Sequence, residues 1–249
     1  MQRSYVLSIA GLDPSGGAGL LADIKTFEQL QVYGLGVCTA LTVQNEDTFL
    51  KLQWTRPQLI LEQIDILFEK YTINYCKIGI VENWSILNQI TQHLHLKNSN
   101  IQIVVDPVLR ATAGFNFHKT AALSELEQWL KQIHLLTPNQ PELEILTGQK
   151  NMAEAAKTLA RYTNILAKGG HSTSQKGVDF LYTSNGSINT LLPSKNAACS
   201  EKHGSGCVLS SAIAAQLAKG DSLEVACKNA KAYITQFLSS TSGLLGYHS

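Results

Sequence analysis

His203-Gly204-Ser205-Gly206-Cys207 leads straight into an apolar run, VLSSAIAAQLA, that reads as a helix. Residues of these types in this order can hold an anion. The first N–H groups of a helix have no intrahelical acceptor and point outward. Two glycines let phosphate oxygens come close to them, and successive amides form a nest for negative charge. Cys207, at the helix start, meets the positive end of the macrodipole, which favours its thiolate. The competing reading is a glycine-rich connector followed by an inert buried thiol. Spacing alone leaves both open.

A second glycine-rich loop, AGLDPSGGAGLLAD, covers residues 10–23. The P-loop pattern fails there, because Gly17 and Ala18 stand where a lysine and a hydroxyl are required. The dinucleotide pattern does match at Gly17–Ala22, after a strand and opening a helix, with Glu46 or Asp47 as the distant acid. It is a loose match, since Asp13-Pro14-Ser15 separates it from the strand and glycines are abundant. Other polar residues follow apolar runs: Gln44, Asp106 in VVDPV, Asn139 and Glu142 in TPNQPE, and Lys168 in AKGGH. Each also has a plain reading: a solvated strand end for Gln44 and Lys168, a turn carboxylate for Asp106, and a first-turn acid for Glu142.

The elements that must position these residues follow a strand–helix alternation. Strands are expected at Tyr5–Ala10, Val37–Val43, Tyr75–Ile80, Ile101–Val105, His134–Thr137 and Asn164–Ala167. Helices are expected near 20–30, from Pro57 to Phe68, at Trp84–Leu94, Leu123–Ile133, through Glu144, at Met152–Tyr162, Cys207–Ala218 and Ser222–Ser239. Asp221 is the expected N-cap of the last, with Glu224 three residues inside it. Ser184-Asn185-Gly186 predicts a hairpin. Strands such as IQIVV are apolar throughout, as strands buried on both faces are. The pattern predicts an α/β fold: a central, mostly parallel sheet, helices on both faces, and an edge hairpin. Ligands of such folds collect at the carboxyl ends of the strands.

The 249 residues, 44% hydrophobic and 16% charged, suit a single domain spanning 1–249. A net charge of +1 gives no field that would favour nucleic acid or a membrane surface. No apolar run reaches membrane-spanning length, and the N-terminus lacks a signal-peptide pattern, so a cytoplasmic protein is expected. Five cysteines without a C-x-x-C pair argue against a disulfide framework or a zinc site.

Seven segments then appear in register: AGLDPSGGAGLLADIKTFEQL, TALTVQN, KIGIVEN, VVDPV, LLTPNQPELEILTG, AKGGH and HGSGCVLSSAIAA. Together they resemble the bacterial hydroxymethylpyrimidine/phosphomethylpyrimidine kinases of the ribokinase-like superfamily, from about Val6 to about Ser239. The resemblance implies phosphorylation of 4-amino-5-hydroxymethyl-2-methylpyrimidine, then of its monophosphate, with ATP and magnesium, in thiamine biosynthesis. It implies that the first glycine loop lines the acceptor pocket, with Gly11, Ala18, Asp23, Val43, Gln44, Ile80 and Val108 around the substrate. Gln44 would hydrogen-bond the aminopyrimidine, a carboxamide offering both donor and acceptor.

By the same resemblance Gly204, Ser205, Gly206 and Cys207 are catalytic and steady the transferring phosphoryl group. Cys207 either accepts the hydroxymethyl proton or only positions the alcohol. Asp106, Asn139, Glu142 and Lys168 belong to the nucleotide side, with Asp106 and Glu142 holding magnesium through water. Relatives often dimerise, which leaves a homodimer open. Departures are Ser205 in place of a commoner threonine, Arg110, Phe115 and Phe117 after VVDPV, and the ending LLGYHS. A pyridoxal kinase on the same fold is the near alternative, and relatives of that specificity tend to lack an amide at the position of Gln44. An NAD(P)-dependent oxidoreductase using Gly17–Ala22 and a silent pyrimidine sensor are remoter ones.

Overall fold

The structure is a computed structural model, and it describes residues 3–109, 123–170, 177–193 and 199–249. Arg110, Phe115, Phe117 and the histidine of AKGGH lie outside the described residues. The strands are β1 (Tyr5–Leu12), β2 (Tyr33–Gln44), β3 (Phe49–Trp54), β4 (Tyr75–Ile78), β5 (Gln102–Val105), β6 (Leu135–Leu136), β7 (Asn164–Ala167), β8 (Asp179–Tyr182) and β9 (Ile188–Leu191). The helices are α1 (Gly19–Gln29), α2 (Pro57–Phe68), α3 (Trp84–Lys97), α4 (Leu123–Leu130), α5 (Gln140–Thr147), α6 (Met152–Leu159), α7 (Ser205–Ala218) and α8 (Leu223–Ser239).

The strands form one sheet in the order β3-β2-β1-β4-β5-β6-β7-β8-β9. From β2 to β7 all pairings are parallel. Side chains alternate across the sheet, so each apolar strand feeds two cores. Leu7, Ile9, Ile103, Val105, Leu136 and Ile165 point to one core. Val6, Val104, Leu135 and Leu166 point to the other. The first core is closed by helices that include α3 and α4, whose Trp84 and Trp129 stack at 5.4 Å. The second is closed by α1, α7 and α8. Burying each Leu or Ile here contributes about 1.5–3 kcal/mol over leaving it exposed. In α7 every residue from Val208 to Ala218 is buried. It lies between α8 and the sheet, which explains why it is apolar on all sides.

The expected hairpin joins β8 and β9, with Gly186 at φ +90° and Thr183 N–H donating to Ser187 O at 3.0 Å. Three expectations need correction. The opposite edge carries a further antiparallel strand, β3, beyond the single edge hairpin expected. β2 begins at Tyr33, four residues before its expected start. Ser222, not Asp221, caps α8: its hydroxyl accepts from Val225 N–H, while Asp221 takes a bond from Asn229.

The order reverses at β1, which has β2 on one side and β4 on the other. A crevice opens at the carboxyl ends of strands at such a switch point. The residues that follow these ends are Ile80 after β4, Asp106 after β5, Thr137 and Asn139 after β6, and Lys168 after β7. Gly11 lies near the end of β1 itself.

Candidate active site

Two walls meet in this crevice. The first is built from the ends of β1, β2 and β4. A Cβ placed on Gly11 would overlap the Ile80 side chain, so glycine is what lets Ile80 sit there. Thr42 Oγ1 donates to Leu12 O at 2.8 Å, and Thr39 Oγ1 donates to Ile80 O at 2.7 Å. These bonds hold the end of β2 beside β1 and β4. Gln44 is half-buried at that end, just after an irregularity in the register between Val43 and Gln44. Val43 pairs with Lys51 and is 48% exposed. Val108 and Ala18 are half-buried.

Asp23 does not line this wall. It is fully buried beneath it, bonded to Lys77 Nζ at 2.8 and 2.9 Å, to Ser8 Oγ at 2.6 Å and to Ser211 Oγ at 2.7 Å. A carboxylate with every oxygen committed and no accessible surface supports the floor of the site. Burial pushes its pKa up although Lys77 opposes that. Lysine within the apolar strand YCKI was the sequence signal for such a partner.

The second wall is charged. Lys168 Nζ lies 2.8 Å from Asp106 Oδ1 and 3.8 Å from Glu142 Oε2. Thr137 Oγ1 donates to Asp106 Oδ1 at 3.2 Å. Asn139 and Glu142 form a capping box on α5: Asn139 Oδ1 accepts from Glu142 N–H at 2.9 Å, and Glu142 Oε2 accepts from Asn139 N–H at 2.7 Å. Burial and the nearby Asp106 charge push the Glu142 pKa up to about 7, against the pull of Lys168. Burial opposes the Lys168 charge, but Asp106 and Glu142 outweigh it and hold the ammonium protonated.

The glycine loop before α7 sits between the two walls. Gly204 adopts φ +72° and touches the first loop: a Cβ there would overlap Gly17 O and stand 2.6 Å from Ala18 Cα. On Gly206 a Cβ would stand 3.2 Å from Asp106 Oδ2 and 3.4 Å from Lys168 Nζ. The N-terminus of α7 has no side-chain cap. Ser205 N–H donates to Lys202 O at 3.3 Å, so the amides of Gly206 and Cys207 are the ones that stay available at a positively polarised helix end beside Lys168. Cys207 is half-buried, and the Gly19 amide draws its pKa down slightly. Burial pushes the thiol up to about 11, with Asp23 and Asp106 adding to burial and Lys77 opposing it. Of the two readings the sequence left open, burial favours the neutral S–H form.

The first glycine loop is built differently. Asp13 Oδ1 accepts from Ser15 N–H at 2.9 Å, Asp13 Oδ2 from Ala18 N–H at 3.0 Å, and Ser15 Oγ from Gly17 N–H at 3.2 Å. A carboxylate of the chain already fills this nest, and a nucleotide phosphate there would meet that negative charge. The dinucleotide match at Gly17–Ala22 is thereby overturned as a phosphate site. Sequence reasoning also missed His203, whose Nε2 lies 2.8 Å from Asp13 Oδ2. Among the described residues no group of three or more His, Cys, Asp and Glu side chains is placed to hold a metal by itself. No helix of the described residues is long and apolar enough to cross a membrane.

A crevice at a sheet switch point, with the Gly206 and Cys207 amides at a helix start beside a lysine–carboxylate cluster, defines a phosphotransferase of the ribokinase-like α/β class. The profile of the family described as phosphomethylpyrimidine kinase matches residues 13–248. The chain is 36% identical over 247 residues to the hydroxymethylpyrimidine/phosphomethylpyrimidine kinase of Aquifex aeolicus, covering 96% of this chain and 95% of that one. It is 37% identical to a bifunctional thiamine-biosynthesis protein of Geobacter sulfurreducens, matching 94% of this chain and 49% of that one. Among solved structures it resembles a phosphomethylpyrimidine kinase from Clostridium difficile, with TM-score 0.78 and 32% identity over 94% of this chain and 99% of that one. It also resembles the ADP complex of a Bacillus subtilis pyridoxal kinase, with TM-score 0.82 and 27% identity over 96% and 92%. The chain belongs to the phosphomethylpyrimidine kinase family.

Proposed function

We propose that the protein transfers the γ-phosphoryl group of ATP to the hydroxymethyl oxygen of 4-amino-5-hydroxymethyl-2-methylpyrimidine, and then phosphorylates the monophosphate so formed. One observation carries the reading: the α7 amides lack a side-chain cap, while the corresponding amides of the first loop are already satisfied by Asp13 and Ser15. The phosphates therefore go to Gly204–Cys207, and the alcohol goes to the wall of Gly11, Ala18, Gln44 and Ile80. Phosphoryl transfer asks mainly for positioning and for charge stabilisation of the equatorial oxygens. The amides of Gly206 and Cys207 supply that without reorganising, and Lys168 adds a fixed positive charge.

The alcohol oxygen bonds to phosphorus as the bond to the ADP oxygen breaks, and the hydroxyl proton passes late in a loose transition state to an oxygen of the transferred phosphoryl group, and from there to water. Cys207 enters as a neutral thiol that orients the alcohol, since burial disfavours the thiolate needed for a base. Asp106 and Glu142 bring two carboxyl groups beside one ammonium, a set of oxygen donors that would suit a magnesium ion. Such an ion would take its remaining ligands from phosphates and water, and it would neutralise charge on the nucleotide.

The solved pyridoxal kinases, with ADP or with AMP-PCP and pyridoxal, support ATP as donor and keep pyridoxal as a second acceptor reading. Gln44 favours the pyrimidine, because its carboxamide can pair with a ring nitrogen and an exocyclic amine together. Mass spectrometry of products from ATP, magnesium and each alcohol tests the choice. Mono- and diphosphorylated pyrimidine are expected. A higher kcat/KM for pyridoxal would assign the protein to that reading.

A further inference from the structure

The two glycine loops come from opposite ends of the chain, and one side-chain pair joins them. His203 Nε2 lies 2.8 Å from Asp13 Oδ2, with side-chain exposures of 6% and 1%. Burial works against the Asp13 charge, but bonds from His203 and Ser15 prevail and hold its carboxyl below the usual range. An ionised carboxylate only accepts hydrogen bonds, so Nε2 carries the proton. The bond stands where the loops press closest. A Cβ on Gly17 would lie 2.8 Å from His203 Cδ2, and Gly204 rests on Gly17 and Ala18.

Backbone contact between Gly204 and Gly17 limits how near the loops can come. It does nothing to stop them parting, and 190 residues of chain separate Asp13 from His203. We propose that Asp13 and His203 are a positioning pair, whose hydrogen bond fixes the gap between the loop seating the acceptor alcohol and the amides holding the transferring phosphoryl group. The inference rests on the kinase reading above. In-line transfer is steep in distance, since a misplacement of about 1 Å can cost about 100-fold in rate. Asp13 is committed to Ser15 and Ala18 as well. It therefore transmits the position of His203 to the whole first loop.

The test uses the intact protein with ATP, magnesium and the hydroxymethyl pyrimidine, with kcat expressed per folded molecule. His203→Ala is expected to lower kcat roughly 10- to 100-fold while moving the KM for ATP less than about two-fold. His203→Gln, whose amide N–H reaches the place of Nε2, is expected to recover most of that loss. On an Asp13→Ala background, His203→Ala should add nothing, because the partner is already gone. Should His203→Ala not fold, His203→Asn replaces it, its amide being too short to span the gap. A second readout needs no substrate: the rate at which iodoacetamide modifies Cys207, followed by peptide mass. Opening the loops uncovers the sulfur, so His203→Ala should raise that rate roughly 10-fold and His203→Gln should not. The proposal is overturned if His203→Ala keeps kcat within about two-fold, if glutamine fails to restore it, or if Cys207 modification is unchanged. Absence of any pyrimidine-dependent ADP release by the unaltered protein would instead sink the kinase reading, leaving the alkylation arm to judge the pair.

Discussion

Lys168 and Asp106, 62 residues apart in the chain, meet at 2.8 Å across the carboxyl ends of β7 and β5. Their bond brings the charged wall of the crevice to within van der Waals reach of Gly206. The position of the ammonium is thus set by a carboxylate and shared with Glu142.

Replacing Lys168 with methionine removes the cation from that cluster. Leaving buried carboxylates unpaired typically costs about 3–5 kcal/mol, and a fixed charge beside a transferring phosphoryl group is worth about 100-fold or more in rate. Lys168→Met should therefore melt at a lower temperature and lose kcat by at least that factor. Glu142 shows the sign of the pH effect. Its folded pKa already lies above its ordinary value, at about 7. Its contribution to stability is present below the unfolded pKa and is lost as pH rises through the folded one. Melting temperature followed from pH 4 to 8 should fall along that window, and Glu142→Gln should flatten the fall.

Gly204 and Gly206 separate folding from chemistry. At Gly204 a side chain would collide with the first loop, and the backbone is left-handed. Gly204→Ala should cost more than about 1 kcal/mol in urea unfolding and abolish turnover with it. At Gly206 the nearest atoms are Asp106 Oδ2 at 3.2 Å and Lys168 Nζ at 3.4 Å. Gly206→Ala should fold with little loss, yet turn over at least about 10-fold more slowly, because the methyl takes space the phosphoryl oxygens need. Equal melting temperatures with equal kcat would remove Gly206 from the site.

Much of this was legible in the chain. Two-sided burial was written in runs such as IQIVV, and Asp106, Glu142 and Lys168, each following a strand end in the chain, are brought together by the fold. What stayed hidden has physical reasons. Gly34 and Gly36 obscured the first half of β2, because glycine is depleted from strands. Here they admit Ile24, Phe27 and Leu20 of α1 against the sheet. Phe49–Trp54 carries Lys51 and Gln53 on an exposed edge, so its pattern lacks a buried strand's apolar continuity. Asp13 and His203 are paired only by the fold. At Cys207 the chain shows the helix start but not the burial that pushes its thiol up.

The thiol of Cys207 should behave as a buried group. Its pKa is pushed up to about 11, above the ordinary thiol range. Alkylation of Cys207, measured by peptide mass, should keep rising with pH to about that value. A plateau by neutral pH would restore the thiolate and a basic role. Cys207→Ala should lower kcat with modest change in the KM for ATP, since the lost group touches the alcohol.

Asp23 and Lys77 form a buried pair beneath both loops, with both side chains at 0% exposure. Asp23→Ala leaves the ammonium uncompensated and should cost about 3–5 kcal/mol in urea unfolding, whereas Asp23→Leu with Lys77→Met together should cost much less. A selective rise in acceptor KM, with stability intact, would return Asp23 to the pocket lining. Gln44→Ala should give that kinetic signature, because it removes a bond made to the substrate in ground and transition states alike.

The most direct test is a crystal structure with AMP-PCP, magnesium and the hydroxymethyl pyrimidine bound together. The account predicts the γ-phosphate against the amides of Gly204–Cys207 beside Lys168, with the pyrimidine seated between Gly11, Ile80 and Gln44. Nucleotide phosphates lodged in the Asp13–Ala18 loop, away from Cys207, would contradict it.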